Sequence, residues 1–297
     1  MICIPITAKR AEDTVLEMLS ASKYADIVEL RIDYIPELQN AEACIEESLK
    51  RKTKPVIITN RPEREGGKFN GSEQDRLCLL QKAIDLGADY VDVEYDSIKQ
   101  ITRRNSSKII ISHHNFKETP HNLSKIYDDI CQQKPDIVKI VTYANDIIDN
   151  IRIFELLKSA QIPTISFCMG ESGYISRILT KKFGGFLTFA SLEKGKESAP
   201  GQLTVNELSK IYHFENINKQ TKLYGIIGNP VSHSMSPAIH NAAFIEKGLN
   251  NVYVPLKIAN IDAFMRECRK IDFQGFSVTI PHKESVLPFL DDLDHTA

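Results

Sequence analysis

The sequence predicts an α/β protein built on a (β/α)8 TIM barrel, followed by a shorter α/β segment. Three observations carry this expectation. Short, β-rich apolar runs alternate with amphipathic stretches of crossover length through residues 1–215, so the sheet should be parallel. Several runs are apolar nearly throughout, the pattern of strands covered on both faces. There are eight of them, the count of a closed barrel, whereas an open doubly wound sheet normally has fewer strands.

The expected strands are 2–7, 27–32, 55–59, 90–94, 108–112, 136–141, 164–168 and 186–189. The helix-like stretches between and after them are 12–19, 42–49, 73–86, 98–103, 123–131, 147–159, 174–183 and 203–211. After Tyr212 the composition changes. The polar stretch 213–222 (HFENINKQTK) is a plausible linker. A new strand at 223–227 runs into a Gly-Asn-Pro turn, and a βαβαβ rhythm continues with helices at 238–247 and 261–270 and extended segments at 252–255 and 276–280. The expected division is a barrel over 1–215 and a second unit over 222–297, either a small domain or the beginning of a larger one.

Composition excludes some function classes. Hydrophobic residues are 42% and charged residues 26%, and the formal net charge is -2, so no global field favours nucleic acid or an anionic membrane. No apolar stretch has the length of a membrane span, and residues 1–7 lack the basic region and long apolar core of a signal peptide. The six cysteines form no CxxC pair and read as buried thiols of a reducing compartment. A cytoplasmic location is the default expectation. No HExxH, ligand-spaced Cys/His cluster or GxxxxGK[ST] loop occurs, so no metal or nucleotide site is expected from motifs.

In such a barrel the reactive groups come from the C-terminal ends of the strands and the loops after them. Those ends carry Glu29 and Arg31; Arg61, Glu65, Gly66 and Gly67; Asp92 and Glu94; His113, His114 and Asn115; Lys139; Ser176 and Arg177; and residues 198–202, Ser-Ala-Pro-Gly-Gln. Lys139 is the most informative. A lysine within Asp-Ile-Val-Lys-Ile-Val is costly to bury as a cation, and burial with nearby cations would leave a free amine able to attack a ketone. The alternative, a lysine snorkelling past a helix on the outer face, is equally compatible with the strand alone. His114 is a candidate general acid or base, although alternation does not decide whether His113 or His114 points inward. Arg31, Arg61 and Arg177 would make a cationic mouth for an anionic substrate.

Taken in order, these strand ends resemble the type I 3-dehydroquinate dehydratase family over residues 1–212. The resemblance implies an enzyme, a lyase of the shikimate pathway of aromatic amino acid and chorismate biosynthesis, that converts 3-dehydroquinate to 3-dehydroshikimate and water through a Schiff base. It implies that Lys139 forms the imine, that His114 moves the proton and that Glu65 orients or tunes His114. Glu29, Arg31 and Arg61 would hold ring hydroxyls. Arg177, Ser198 and Gln202 would hold the carboxylate and the closing loop. No cofactor is implied for this reaction. The family usually has Asp where this chain has Asn115.

Residues 223–297 resemble the N-terminal, substrate-binding part of shikimate dehydrogenase, on Gly228-Asn-Pro-Val-Ser-His-Ser-Met-Ser-Pro237 and Phe276-Ser-Val-Thr-Ile-Pro-His-Lys283. The resemblance implies that Ser234, Ser236 and Thr279 bind 3-dehydroshikimate or shikimate and that Lys283 is catalytic. The tandem order resembles the fused dehydratase–dehydrogenases of plants and some bacteria. None of the 14 glycines makes a GxGxxG turn. NADP is therefore expected only for a missing part of the dehydrogenase, and these 297 residues are expected to lack that activity. Two alternatives stand beside the lyase: another Schiff-base TIM barrel such as an aldolase, and a non-catalytic shikimate-pathway binder. The intact set of strand-end groups disfavours both. Oligomeric state is not given by the sequence.

Overall fold

The computed structural model describes residues 1–295. In the first part, β1 (Ile2–Ile6), β2 (Ile27–Arg31), β3 (Val56–Thr59), β4 (Tyr90–Glu94), β5 (Lys108–His114), β6 (Ile137–Tyr143), β7 (Thr164–Met169) and β8 (Thr188–Ser191) are all parallel. They lie side by side in chain order, and β1 pairs with both β2 and β8. The helices α1 (Ala11–Ala21), α2 (Leu38–Arg51), α3 (Glu73–Asp85), α4 (Leu123–Cys131), α5 (Asp149–Ser159) and α6 (Tyr174–Leu179) form the crossovers.

Two observations differ from the sequence expectation. The stretch 98–103 is only a 3-10 turn at Ile98–Gln100, so β4 and β5 lack an α-helical crossover. A single apolar position, Ile98, is buried there, which is too little to anchor an amphipathic helix. The barrel ladder is also not continuous between β7 and β8, where one backbone bond, Phe186 N–H to Thr164 C=O (2.7 Å), spans the seam. The edge of β8 facing that seam is taken by β9 (Leu203–Thr204), which pairs with Ala190 and Ser191. Thr204 then caps α7 (Val205–Lys210) in a reciprocal box with Glu207.

Period-two alternation sorts the strand residues into two cores. Ile4, Ile6, Val28, Leu30, Ile58, Val138 and Ile140 belong to the outer core packed with the helices. Cys3, Ile27, Ile57, Ile110, Ile137, Val141, Ile165, Phe167 and Phe189 fill the barrel interior.

After the barrel, residues 213–222 are less free than a linker. Phe214, Ile217 and Thr221 are buried, and Lys182 Nζ donates to the Thr221 carbonyl (2.7 Å). The tail builds a second parallel sheet from β10 (Lys222–Gly228), β11 (Asn251–Lys257) and β12 (Phe273–Val278), in the order β11-β10-β12. Its helices are α8 (Ser236–Glu246) and α9 (Ile261–Glu267); a 3-10 turn at Cys268–Ile271 ends the stretch expected as one helix. Lys257 meets Glu171 of the barrel at 2.5 Å.

Candidate active site

Alternation stacks the site in layers. Above the interior residues Ile27, Ile57, Ile110 and Ile137 come Glu29, Thr59, Ser112 and Lys139, two positions further along the same strands. Another two positions on stand Arg31, Arg61, His114 and Val141. Register sets them side by side: Thr59 pairs with Asp92, Glu94 with Ser112, and Ser112 with Lys139. The same parity settles what the strand alone left open. Val138 and Ile140 face the helices, so Lys139 between them faces inward and is no snorkelling surface lysine. His114 shares the inward parity of Ser112 and lines the cavity, whereas His113 follows Ile109 and Ile111.

One cavity at the strands' C-terminal ends gathers Glu29, Arg31, Arg61, Glu65, His114, Lys139, Arg177 and Ser198. Lys139 Nζ lies 2.7 Å from Asp92 Oδ2 and 3.4 Å from Glu29 Oε1, and 4.7 Å from the centre of the Phe189 ring. The charges nearest its nitrogen are thus carboxylates, where cations had been expected. Glu29 Oε1 also accepts from the Thr59 hydroxyl (2.8 Å).

Glu65 Oε2 stands 2.7 Å from His114 Nδ1. Burial pushes Glu65 up to about 7, against the opposing pull of Arg61. Burial holds His114 well below the ordinary imidazole value, and Arg61 and Lys139 push it the same way. These directions are opposite to those of a carboxylate–imidazolium ion pair and favour a neutral imidazole beside Glu65. With the ring proton on Nδ1, the ring donates to Glu65 and Nε2 keeps a free lone pair. The next residue, Gly66, has φ +72° and lets the Phe116 ring pack against this turn, since a Cβ there would lie 2.3 Å from that ring.

The three arginines differ in how they are held. Arg31 is closed by a two-pronged contact with Asp33 (2.8 and 2.7 Å). Arg61 donates from Nη1 to Glu94 (2.6 Å) and Ser112 (2.7 Å). Its Nη2 sits 2.7 Å from Asp92 Oδ2, off the line of a hydrogen bond. Arg177 is 1% exposed, its guanidinium lies 4.2 Å from the centre of the Phe167 ring, and its Nε and Nη2 have no hydrogen-bond partner among the described residues. Burial, opposed only by Cys168, pushes it down to about 9, so it still carries its charge at neutral pH. A buried cation without an anion costs several kcal/mol, and an incoming carboxylate would supply what is missing.

The loop over 198–202 fills the mouth of the β7–β8 seam. Gln202 Oε1 accepts from the Ser198 N–H (2.7 Å) and hydroxyl (3.2 Å), and the Gly170 N–H donates to the Pro200 carbonyl (3.2 Å). A Cβ at Gly201 would lie 2.5 Å from the Gly170 carbonyl, so this close approach needs glycine. Ser198 lines the cavity; Gln202 stands behind it, with Nε2 unpaired.

Several participants were not assigned from the sequence. Asp92 and Glu94 stood out only as polar strand ends. Ser112 was read only as the strand end that precedes the two histidines, and Asp33 and Arg76 carried no signal: Arg76 is fully buried on α3, where it pairs with Glu94 (2.5 Å) and Glu73 (2.7 Å).

In the tail, the Ser234 hydroxyl accepts from the Ser236 N–H (3.2 Å) at the start of α8. Thr279 packs against Gly228, where a Cβ would lie 2.4 Å from its methyl carbon. Lys283 is exposed. None of these four residues lines the barrel cavity. Ser234 instead borders a second cavity, shared with Glu171, Tyr174 and Tyr212 of the barrel.

Residues 2–219 match the family model described as type I 3-dehydroquinase. The chain belongs to that family. Residues 226–297 match the model of the shikimate dehydrogenase substrate binding domain. The chain is 43% identical to the bifunctional 3-dehydroquinate dehydratase/shikimate dehydrogenase, chloroplastic, of Arabidopsis thaliana, over 100% of its own length and 51% of the relative's. It therefore spans about half the length of that relative. The 3-dehydroquinate dehydratase of Methanopyrus kandleri is 37% identical, covering 71% of this chain and 98% of the relative. Among solved structures, the dehydroquinate dehydratase and shikimate dehydrogenase from S. pombe AroM superposes with a TM-score of 0.61 at 29% identity, over 99% of this chain and 59% of that one. The 3-dehydroquinate dehydratase from Aquifex aeolicus VF5 gives 0.59 at 30% identity, over 70% and 95%. No helix among the described residues is long and apolar enough to cross a membrane.

Asn115 departs from this dehydratase family's usual Asp. Its Oδ1 accepts from the N–H groups of Lys117 (2.9 Å) and Glu118 (3.1 Å). The turn needs an acceptor, which Asn and Asp both supply. Asn115→Asp is accordingly expected to change stability by less than about 0.5 kcal/mol, checked by a melting curve.

Proposed function

We propose that the barrel dehydrates 3-dehydroquinate to 3-dehydroshikimate and that the chain comprises two units, the barrel over 1–215 and a shikimate dehydrogenase-like unit over 222–297. The observation that supports the lyase reading most is one buried cavity. It holds a lysine amine, an imidazole tied through Nδ1 to a carboxylate, and a guanidinium with no anion beside it among the described residues. A carbonyl substrate with a carboxylate and several hydroxyls fits these three groups.

In this reading Arg177 takes the substrate carboxylate, with Ser198 and Gln202 closing the loop above it. Lys139 condenses with the ketone. His114 Nε2 removes a proton from the adjacent carbon, and the electron pair moves into the carbon–carbon bond and onto nitrogen. The neighbouring C–O bond then breaks, and the hydroxyl leaves as water with the proton returned by His114. Hydrolysis of the imine releases the product and the lysine. Glu65 holds the tautomer in which Nε2 is the base. Glu29, Arg31 and Arg61 face the ring hydroxyls, with Arg31 and Arg61 also held by Asp33, Glu94 and Asp92. The lysine serves as electron sink, so the reading calls for no cofactor here.

For the tail we infer a shikimate or 3-dehydroshikimate site that uses Ser234, Ser236, Thr279 and Lys283. NADP serves a longer chain of the plant relative's kind. The free cysteines support a reducing compartment, of which the cytoplasm is one. The substrates are small molecules, and the net charge of -2 gives nucleic acid no electrostatic footing.

The test is incubation with 3-dehydroquinate, borohydride reduction and mapping of the adduct by mass spectrometry. An adduct on Lys139 with turnover to 3-dehydroshikimate is expected; no adduct and no turnover overturns the reading. An adduct formed only with an aldehyde or keto sugar would favour an aldolase instead.

The Glu65–His114 pair sets the pH dependence. A proton added to the pair on Glu65 makes that carboxyl the donor to Nδ1, which puts the ring proton on Nε2 and removes the base. kcat/KM should therefore fall as pH drops through about 7. In Glu65→Gln that titration is gone and His114 alone remains, with a value well below 6.5. The acidic limb is expected to move down by about one pH unit or more, read from the pH profile of kcat/KM.

A further inference from the structure

We propose that Asp92 is the counter-ion of the protonated imine on Lys139. The proposal rests on the reading that Lys139 forms that imine. Asp92 Oδ2 lies 2.7 Å from Lys139 Nζ, and both side chains are buried. Asp92 cannot turn away, because its Oδ1 accepts from the Ser112 hydroxyl at 2.6 Å and Arg61 Nη2 presses on its Oδ2 at 2.7 Å.

Charge balance shows why a fixed anion belongs at this nitrogen. When the lysine ammonium becomes an iminium, the nitrogen lone pair forms the N–C bond and the carbonyl oxygen leaves as water with two of the three ammonium protons. One proton and one positive charge stay on nitrogen. Proton removal by His114 neutralises that nitrogen as an enamine, and expulsion of the hydroxyl as water returns the charge to it. An anion already in place stabilises each cationic state without rearranging, which is how preorganised electrostatics act in a dry site.

Glu29 is the competing carboxylate. It is farther from Nζ, at 3.4 Å, and the same Oε1 is held by the Thr59 hydroxyl, so its other oxygen is left for a substrate hydroxyl. The other titratable or charged groups acting on this centre are Cys3 from β1, Arg61 after β3, Glu65 beyond it, Glu94 from β4 and His114 from β5. Burial leaves Cys3 as a thiol, and Glu94 is occupied by Arg61 and Arg76. Asp92 is therefore the anion closest to the nitrogen and least free to leave it.

The experiment compares wild type, Asp92→Asn and Glu29→Gln by borohydride trapping of the 3-dehydroquinate adduct and by kcat, from neutral to alkaline pH, with circular dichroism and melting to check folding. Borohydride reduces the protonated imine, so the alkaline limb of trapping reports its deprotonation. In folded D92N that limb should move down by about one pH unit or more, and kcat should fall about 100-fold. E29Q should move the limb less. A limb unmoved in folded D92N, or moved more by E29Q, overturns the proposal. The structure of the reduced wild-type adduct gives an independent answer if D92N does not fold. The adduct nitrogen is expected within hydrogen-bond distance of Asp92 Oδ2, and a nitrogen turned to Glu29 overturns the assignment. Failure to trap the wild type at all would instead sink the imine reading itself.

Discussion

Lys139→Ala is expected to abolish the borohydride-trapped adduct and to lower kcat for 3-dehydroquinate by about 10⁴-fold or more. The reason lies in what the rest of the cavity can do without an amine. In the proposed reading Glu65 still holds His114 Nε2 as the base, and Arg177 offers a buried cation, so substrate binding should survive. The proton to be removed, however, is acidified only when the adjacent carbonyl becomes an iminium. Loss of the lysine also leaves Asp92 with only Arg61 and the Ser112 hydroxyl as partners among the described residues. A melting curve should accompany the assay, because removing one partner of a buried ion pair is itself destabilising by about 3–5 kcal/mol. Retained turnover in folded Lys139→Ala would show that the elimination proceeds without a covalent intermediate.

His114→Ala should separate the two halves of the reaction. The imine still forms, since neither the amine nor its anion is touched, but the proton on the adjacent carbon has no acceptor. kcat should fall about 10²- to 10⁴-fold, while the fraction of protein trapped by borohydride stays at or above the wild-type level. His113→Ala is the matched control, because His113 follows the outward parity of Ile109 and Ile111 and does not line the cavity. A larger loss of turnover in His113→Ala than in His114→Ala would reverse the assignment of the base.

Much of this was legible in the chain. Eight apolar runs with crossover stretches predicted the parallel barrel, and the polar residues fell at one end of each run. Lys139, His114, Glu65 and Arg177 could all be named from strand ends. The roles of Arg31 and Arg61 were less legible, because each is engaged by a carboxylate: Asp33, which no strand-end pattern marks, or Asp92, which stands out only as a polar strand end. The stretch 98–103 misled because its apolar spacing fits a helix turn, yet it buries only one side chain. The β7–β8 seam was invisible for a different reason. A two-residue strand such as β9 has no periodicity of its own, and it exists only because β8 has a free edge.

The sequence by itself determined the order of the strands, the kind of sheet and which residue types stand at the mouth, since hydrophobic periodicity and turn chemistry are local. Only the tertiary structure decided which way Lys139 and His114 point and which charges meet them. Inward and outward positions differ by a single step in a strand, and both runs are apolar on either side. Register across three strands then brings Asp92 to within 2.7 Å of a lysine 47 residues away. That distance depends on pairing between β4, β5 and β6, and no local pattern encodes it.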